Sequence, residues 1–324
     1  MANVNRTVLN IAHRGASGYL PEHTLAGKAL AYGMGADFLE QDVVSSADGI
    51  PLILHDVILD HVSNIAAKFP KRARTDGHFY CTDFTLNELR TLSISERLDS
   101  KTGTQVYPER FPYQQARFSI NTLEEEMQFI QGLNHATGLD VGICLEIKEP
   151  AWHREQGIEL SKKILPLLGS YGYLEAGSPI FLLCSERAEL EEIRKQVGAV
   201  LPILQLLGSE TNLSTIKLPD IARYATGIGP SIKLIYQGRD DTRKPLLSQL
   251  VDDAHQADLM VFPYTFRADD LPEGINSFQE LLSLFVEQVG VDGVITDFPD
   301  KVAEYLGSVN LRLRNGNARS ADID

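Results

Sequence analysis

Nine short apolar runs, most of them rich in β-branched residues, punctuate the chain: VLNIAH, FLEQDVV, PLILH, VGICLEI, PIFLLC, PILQLL, TGIGP, LMVFPYT and VDGVITDF. Most are separated by stretches with helical periodicity. Parallel neighbours need a crossover of a dozen or more residues, so this alternation predicts a parallel α/β sheet. One pair breaks the pattern. Between FLEQDVV and PLILH lie only Ser45 to Ile50, and Asp48-Gly49 is a turn dipeptide, so PLILH reads as an antiparallel hairpin partner. Removing it leaves eight strands, the number that closes a (β/α)8 TIM barrel.

The helices between the strands carry their own signals. In NTLEEEMQFIQGL, Asn121 or Thr122 caps, acids fill the first turn, and Leu123, Met127 and Ile130 recur on one face. SERAELEEIRKQVG has Ser185 as its cap and Gly198 as its stop, and SFQELLSLFVEQVG repeats the scheme from Ser277 to Gly290. From Asp56 to Phe118 the pattern lapses into a polar stretch with scattered aromatics, too long for an ordinary connection and read as a small insertion domain, 56–118. The chain is thus expected to be a single TIM-barrel domain over its 324 residues, with an extra hairpin strand, an insertion after it and a flexible tail at 312–324.

Charge narrows the classes of partner. Thirty Lys and Arg against 44 Asp and Glu leave a formal charge of -14, which repels a nucleic-acid backbone and an anionic membrane surface. No apolar run approaches the ~18 residues of a membrane-spanning helix, so no stable membrane insertion is expected. Cys81, Cys144 and Cys184 are odd in number and widely spaced, and read as buried free thiols. The N-terminus has no charged-then-apolar signal region, which leaves a cytoplasmic protein or one whose signal peptide was removed. No interface signature sets the oligomeric state.

In a barrel, chemistry collects where the strands end. Here the ends are charged: His13-Arg14-Gly15, Glu40-Gln41-Asp42, His55-Asp56 and Glu146-Ile147-Lys148. Glu40 and Asp42 lie two apart and share a strand face, and Glu146 can face inward from the next parallel strand. Three carboxylates in one mouth repel unless a cation or proton compensates, and an oxygen-only set favours Ca²⁺ or Mg²⁺. The alternative is a structural network in which these acids neutralise Arg14 and Lys148. His13 and His55 both fall at the mouth, because the hairpin returns PLILH toward the first strand. Such a pair suits general acid-base cleavage of an ester, with Arg14 and Lys148 set against a phosphate.

Taken in order, His13-Arg14-Gly15-Ala16, Pro21-Glu22-His23-Thr24, Glu40-Gln41-Asp42, Leu54-His55-Asp56, Glu146-Ile147-Lys148 and Thr296-Asp297-Phe298-Pro299 resemble the glycerophosphodiester phosphodiesterase family. The resemblance runs from about Ile11 to Leu306 and is nearest to the periplasmic bacterial branch, which implies a periplasmic location. It implies a TIM barrel with an insertion domain that hydrolyses glycerophosphodiesters to sn-glycerol 3-phosphate and an alcohol. By the same resemblance Glu40, Asp42 and Glu146 hold one divalent metal, Ca²⁺ ahead of Mg²⁺. His13 and His55 match the acid-base pair, Arg14 and Lys148 the phosphate-binding positions, and the insertion helps to enclose the glycerol end.

Two positions depart from the common pattern. His23 stands where many members carry Asn, and Tyr264 stands where many carry Trp. Tyr264, Phe79, Tyr80 and Phe118 are candidates for an apolar wall beside the substrate. Two other functions compete: a phospholipase-type phosphodiesterase acting on lysophospholipids or phosphoinositides, and a non-catalytic barrel that binds a polyol phosphate. The nucleophile, water or the glycerol 2-hydroxyl, and the leaving alcohol are both open at this stage.

Overall fold

The computed structural model describes residues 8–320, and side chains from residue 8 to residue 309. Twelve strands are described: β1 (Leu9–Ala12), β2 (Phe38–Ser45), β3 (Pro51–Ile53), β4 (Gly142–Ile147), β5 (Ile180–Cys184), β6 (Ile203–Leu207), β7 (Gly227–Pro230), β8 (Tyr236–Arg239), β9 (Pro245–Leu247), β10 (Met260–Val261), β11 (Tyr264–Phe266) and β12 (Gly293–Thr296). Parallel pairing runs β10-β7-β6-β5-β4-β2-β1-β12-β11. The two ends of that path are halves of one run, LMVFPYTF, interrupted at Pro263, which has no N–H to give to a ladder. Met260 pairs with Gly227 on one side, and Tyr264 pairs with Ile295 on the other. The ring therefore closes as an eight-stranded TIM barrel, as the strand count predicts.

The hairpin strand is also where the sequence puts it. β3 lies antiparallel on β2, with Val43 opposite Ile53 and Ser45 opposite Pro51. Thr122 caps the helix Leu123–Thr137 in a capping box with Glu125, and Gly198 and Gly290 close their helices at positive φ. Two local expectations need correction. The helix Arg187–Val197 has Glu186 rather than Ser185 at its N-cap, with no side-chain cap bond. The β8–β9 ribbon, paired through Tyr236 and Leu247, has no counterpart among the nine runs.

Period-two alternation decides what the barrel holds. Ile11, Cys144, Leu183, Leu204, Leu206, Phe262 and Ile295 form one buried cluster, with Leu9 and Phe38 packed against it. Two residues further along several of the same strands the inward positions turn polar: His13 after Ile11, Glu40 and Asp42 after Phe38, Glu146 after Cys144, and Asp297 after Ile295. The lower barrel is thus a packed apolar plug and the upper barrel a charged mouth. Outside the ring, a second and larger core joins the strands to the helices.

The segment 56–118 builds a third core of its own. Leu59, Val62, Ile65, Phe79, Phe84, Leu89, Leu92 and Ile94 are buried together against Val44, Leu52 and Leu54 of the hairpin. Short helices, Ile65–Lys68 and Leu86–Leu89, and isolated bridges such as Ser63 with Ile94 replace long elements. The last helix, Pro299–Ser320, runs through the stretch read as a tail as far as Ser320, and residues 321–324 lie outside the described residues. Cys81, Cys144 and Cys184 are buried and free, as expected. Among the described residues no helix is long and apolar enough to cross a membrane.

One buried ion pair braces the strand that carries two of the acids. Lys28, on the helix Leu25–Gly33, lies 2.7 Å from Glu126, on the helix Leu123–Thr137, and both side chains are fully buried. The Lys28 ammonium also donates to the backbone carbonyl of Glu40 on β2. Breaking such a pair strands a charge, whereas replacing both partners with apolar groups removes the problem. Lys28→Met alone is expected to cost about 3–5 kcal/mol of unfolding free energy, and Lys28→Met with Glu126→Leu to restore most of it. Urea unfolding checks this, and equal losses in the single and double variants would refute it.

Candidate active site

The loop after β1 shapes the floor of the mouth. His13 continues the ladder by donating its N–H to Thr296, and then the chain turns sharply, with Arg14 and Gly15 both at positive φ (57° and 87°). A side chain at position 15 would place its Cβ 2.9 Å from the backbone of Gly27, so only glycine lets the loop lie this close to the helix. The turn points the Arg14 N–H at Glu40, 2.6 Å from Oε2. His23 also has positive φ, 60°, a conformation that Asn tolerates well, which gives a physical reason for Asn to be exchangeable with His there.

The three acids do converge. Asp42 on β2 lies directly opposite Glu146 on β4, and Glu40 lies two positions below, opposite Cys144. Lys148 donates to Glu146 at 2.8 Å and lies 3.6 Å from Asp42, while Arg14 Nε is 3.4 Å from Asp42. The structural ion-pair network that competes with a metal site is therefore present, but it is incomplete. Asp42 Oδ1 is buried with no hydrogen-bond partner among the described residues. His23 Nε2, 2.8 Å from Asp42 Oδ2, and oxygens of Glu40 and Asp42 lie within 4.8 Å of one another, a group able to hold a metal ion. Glu146 is outside that group, because its carboxylate is turned to Lys148.

The proton affinities of the three acids follow from the same crowding. Burial, against the pull of Lys148, pushes Glu146 up to about 7, and the neighbouring Asp42 carboxylate adds to the rise. Burial and then Asp42 likewise raise Glu40 well above the carboxylate range. Burial also works against the Asp42 anion, but Lys148, His55 and His23 outweigh it and hold Asp42 well below that range. Three buried acids with two cations thus retain a proton that a divalent cation would displace. The donor chemistry, the unpartnered oxygen and the burial all fit a metal ion.

The two histidines face one cavity of about 640 Å³, which Arg14, Glu40, Glu146, Lys148 and Tyr264 also line. Each has Nδ1 tied to a carboxylate: His13 to Asp297 at 2.6 Å and His55 to Asp56 at 2.5 Å. That leaves Nε2 as the available ring nitrogen on both. Burial, followed by the charge of Arg14, pulls His13 down to about 4 against the opposing pull of Asp297. Burial and Arg14 lower His55 in the same way. The structure thus brings all eight sequence candidates, His13, His55, Arg14, Lys148, Tyr264, Glu40, Asp42 and Glu146, to one mouth.

Other residues of the site were not singled out from the sequence. Asp297 and Asp56 sit inside recognisable motifs, so proximity to His13 in the barrel order and to His55 in the chain could have marked them. Arg97, Arg110 and Glu96 carry no such signal, since they lie in the irregular insertion. They line a smaller cavity of about 220 Å³ on the other side of the histidines. Glu96 Oε1 has no partner among the described residues, and burial pushes the carboxyl up to about 7. The aromatic wall is corrected to Tyr264 alone. Phe79 is buried in the insertion core, Phe118 packs against that core and against Phe111, and Tyr80 stacks on Trp152 with ring centroids 5.5 Å apart.

Comparison with known proteins gives one consistent picture. The glycerophosphoryl diester phosphodiesterase family matches residues 13–301. A glycerophosphodiester phosphodiesterase of Haemophilus influenzae is 37% identical, covering 92% of this chain and 90% of that protein. One from Treponema pallidum is 34% identical over 92% of this chain and 91% of its own length. The structure of an Oleispira antarctica phosphodiesterase in complex with the product sn-glycerol-3-phosphate superposes with a TM-score of 0.62 at 24% identity, covering 92% of this chain and 96% of that one. With the family motifs gathered at a single barrel mouth, the chain belongs to the glycerophosphoryl diester phosphodiesterase family.

Proposed function

We propose that this protein hydrolyses glycerophosphodiesters to sn-glycerol 3-phosphate and an alcohol at the mouth built by His13 and His55. The observation that carries the proposal is the pairing of two Nδ1-anchored histidines across one cavity that also holds Arg14, Lys148 and the buried acids. The relatives named glycerophosphodiester phosphodiesterase and the product held by the Oleispira antarctica enzyme support the same reaction.

Arg14 and Lys148 hold the phosphodiester oxygens, exchanging part of their bonding to Glu22, Asp42 and Glu146 for the substrate. One histidine Nε2 removes the proton of the attacking oxygen as the new P–O bond forms, either from water, which gives glycerol 3-phosphate directly, or from the glycerol 2-hydroxyl, which gives a cyclic phosphate that water then opens with the two histidines in exchanged roles. The other protonates the departing alkoxide as the old P–O bond breaks. Asp297 and Asp56 accept Nδ1–H from each ring, so that Nε2 is the atom that gains or gives the proton on both, and they stabilise the imidazolium that the acid is before the step and that the base becomes in it. Tyr264 closes one side of the cavity. Glu40 and Asp42, and Glu146 once its carboxylate turns from Lys148, are the residues that would hold a divalent cation, Ca²⁺ ahead of Mg²⁺, since carboxylates of uneven reach suit the more flexible ion. A bound cation supplies electrostatic stabilisation of charge at phosphorus. The periplasmic location rests on the resemblance to that bacterial branch.

Release of glycerol 3-phosphate from glycerophosphocholine at neutral pH is expected to stop with EDTA and return with Ca²⁺. His13→Ala and His55→Ala are each expected to lower kcat by about 10²–10⁴-fold, and Glu146→Gln to raise the Ca²⁺ concentration needed for half-maximal rate. Full turnover in either histidine variant would exclude the acid-base assignment.

A stability prediction follows from His13. Its folded pKa, about 4, lies below the unfolded value of 6.5, so the unfolded state binds more protons between the two. The neutral ring therefore adds stability that is fully present above pH 6.5 and lost as pH falls toward about 4. The loss amounts to at most about 3 kcal/mol. Thermal unfolding of wild type and His13→Gln across pH 7 to 4 reads this, and the variant should show the shallower fall; parallel curves would contradict it.

A further inference from the structure

The two histidine–carboxylate pairs are wired alike, and the wire in each case is an arginine from the insertion. Asp56 gives Oδ1 to His55 and Oδ2 to Arg97. Asp297 gives Oδ1 to His13 and Oδ2 to Arg110, at 2.7 Å, with Arg267 on the same oxygen at 2.8 Å. Each arginine is itself fixed by a fork onto a second acid. Arg97 holds Glu22 through Nη2 at 2.6 Å and Nε at 3.0 Å, and Glu22 in turn takes Arg14 at 3.0 Å. Arg110 holds Asp269 through Nε at 2.8 Å and Nη2 at 3.1 Å, donates Nη1 to the Ser17 carbonyl at 3.1 Å, and lies 3.7 Å from the Tyr107 ring centroid. A planar guanidinium clamped on two sides leaves a carboxylate little rotational freedom, and a carboxylate so held fixes the ring plane of its histidine.

We propose that Arg97 and Arg110 are positioning residues, through which the insertion sets the orientation of both histidines in the barrel mouth. This rests on His13 and His55 being the acid-base pair. The two arginines are not equivalent. Asp297 keeps Arg267 when Arg110 is lost, whereas Asp56 has Arg97 as its sole arginine among the described residues, and Arg97 also steadies Arg14 through Glu22. Arg97 is thus expected to matter more.

The test combines kinetics with nuclear magnetic resonance of ¹⁵N-histidine-labelled, Ca²⁺-loaded enzyme. The downfield Nδ1–H signals are assigned with His13→Gln and His55→Gln. Arg97→Gln is expected to shift or broaden the His55 signal and spare that of His13, and Arg110→Gln to do the reverse. For Arg97→Gln, kcat should fall about 10–100-fold with KM changed by less than about threefold, and Arg110→Gln should cost less. In an Asp56→Asn background, Arg97→Gln should cost clearly less kcat than it does alone, because the part of its effect that passes through Asp56 is already lost and only the part carried by Glu22 and Arg14 remains.

Arg97→Lys, which keeps the charge without the fork, and Asp269→Asn, which frees Arg110 from one side, are measured beside these with thermal unfolding, so that loss of fold is recognised. Lysine should keep the fold yet leave the His55 signal displaced. Unmoved histidine signals in folded variants, a loss carried by KM, or additive kcat losses in the double variant would each overturn the proposal. Undiminished turnover of His13→Ala or His55→Ala would instead overturn the acid-base reading, whatever the arginine variants do to the resonances.

Discussion

A carboxylate buried without counter-charge takes up a proton, and this barrel mouth buries three within reach of one another. Much of the surrounding structure follows from that constraint. Lys148 reaches back along its own strand to Glu146, Arg14 turns through a left-handed backbone to give its N–H to Glu40, and His23 caps Asp42. Behind the sheet, Lys28 supports the Glu40 carbonyl and needs Glu126 to be there at all. The cost of gathering acids is thus spread over neighbouring strands and two helices. What remains, Asp42 Oδ1 without a hydrogen-bond partner among the described residues and the raised Glu40 and Glu146, is the feature that separates a cation site from a finished ion-pair network.

The barrel can carry this because its two ends have different work. Phe262, Ile11 and Cys144 are fully buried in the lower layers, and burial of each large side chain there contributes about 1.5–3 kcal/mol. The charged layer sits on that plug at the same inward positions, two residues further along. Strands rigid enough to pack the plug place the mouth groups with the same register, so Asp42 meets Glu146 because Phe38 meets Gly142 lower down the same pair. Stability and reactivity are drawn from successive turns of one alternation.

That alternation is also why so much could be read from the sequence. All nine runs are strands or strand halves, the Asp48-Gly49 turn sets the hairpin, and period two places Glu40, Asp42 and Glu146 on one inward surface. His13 and His55 follow from the strand ends. Legibility fails where local pattern fails. Ser185 has the chemistry of a cap, yet Glu186 takes the position. The aromatics of the insertion read as a substrate wall because their core has no period to reveal it, and Phe79 in fact packs inside with Phe84 and Leu59. Arg97 and Arg110 were illegible for a related reason: their partners lie far off in the chain, Glu22 at 75 positions and Asp297 at 187.

Those long separations bear on how the site is assembled. The barrel brings His13 beside Asp297 when β1 pairs with β12, and the chain itself puts Asp56 next to His55. Neither carboxylate is fixed by this alone, since each has a second oxygen buried or half-buried at the mouth. Arg267 already reaches the Asp297 oxygen from the barrel side, and the folding of residues 56–118 over the hairpin adds Arg110 to it and brings Arg97 to the Asp56 oxygen. The insertion therefore completes the electrostatics of a mouth that the barrel leaves overcharged with acids: its two guanidinium groups meet Glu22, Asp56, Asp269 and Asp297. A barrel with its insertion unfolded would keep its strands and its plug but leave those four carboxylates without the two arginines, which couples the ordering of the histidines to the folding of a segment that contributes neither of them.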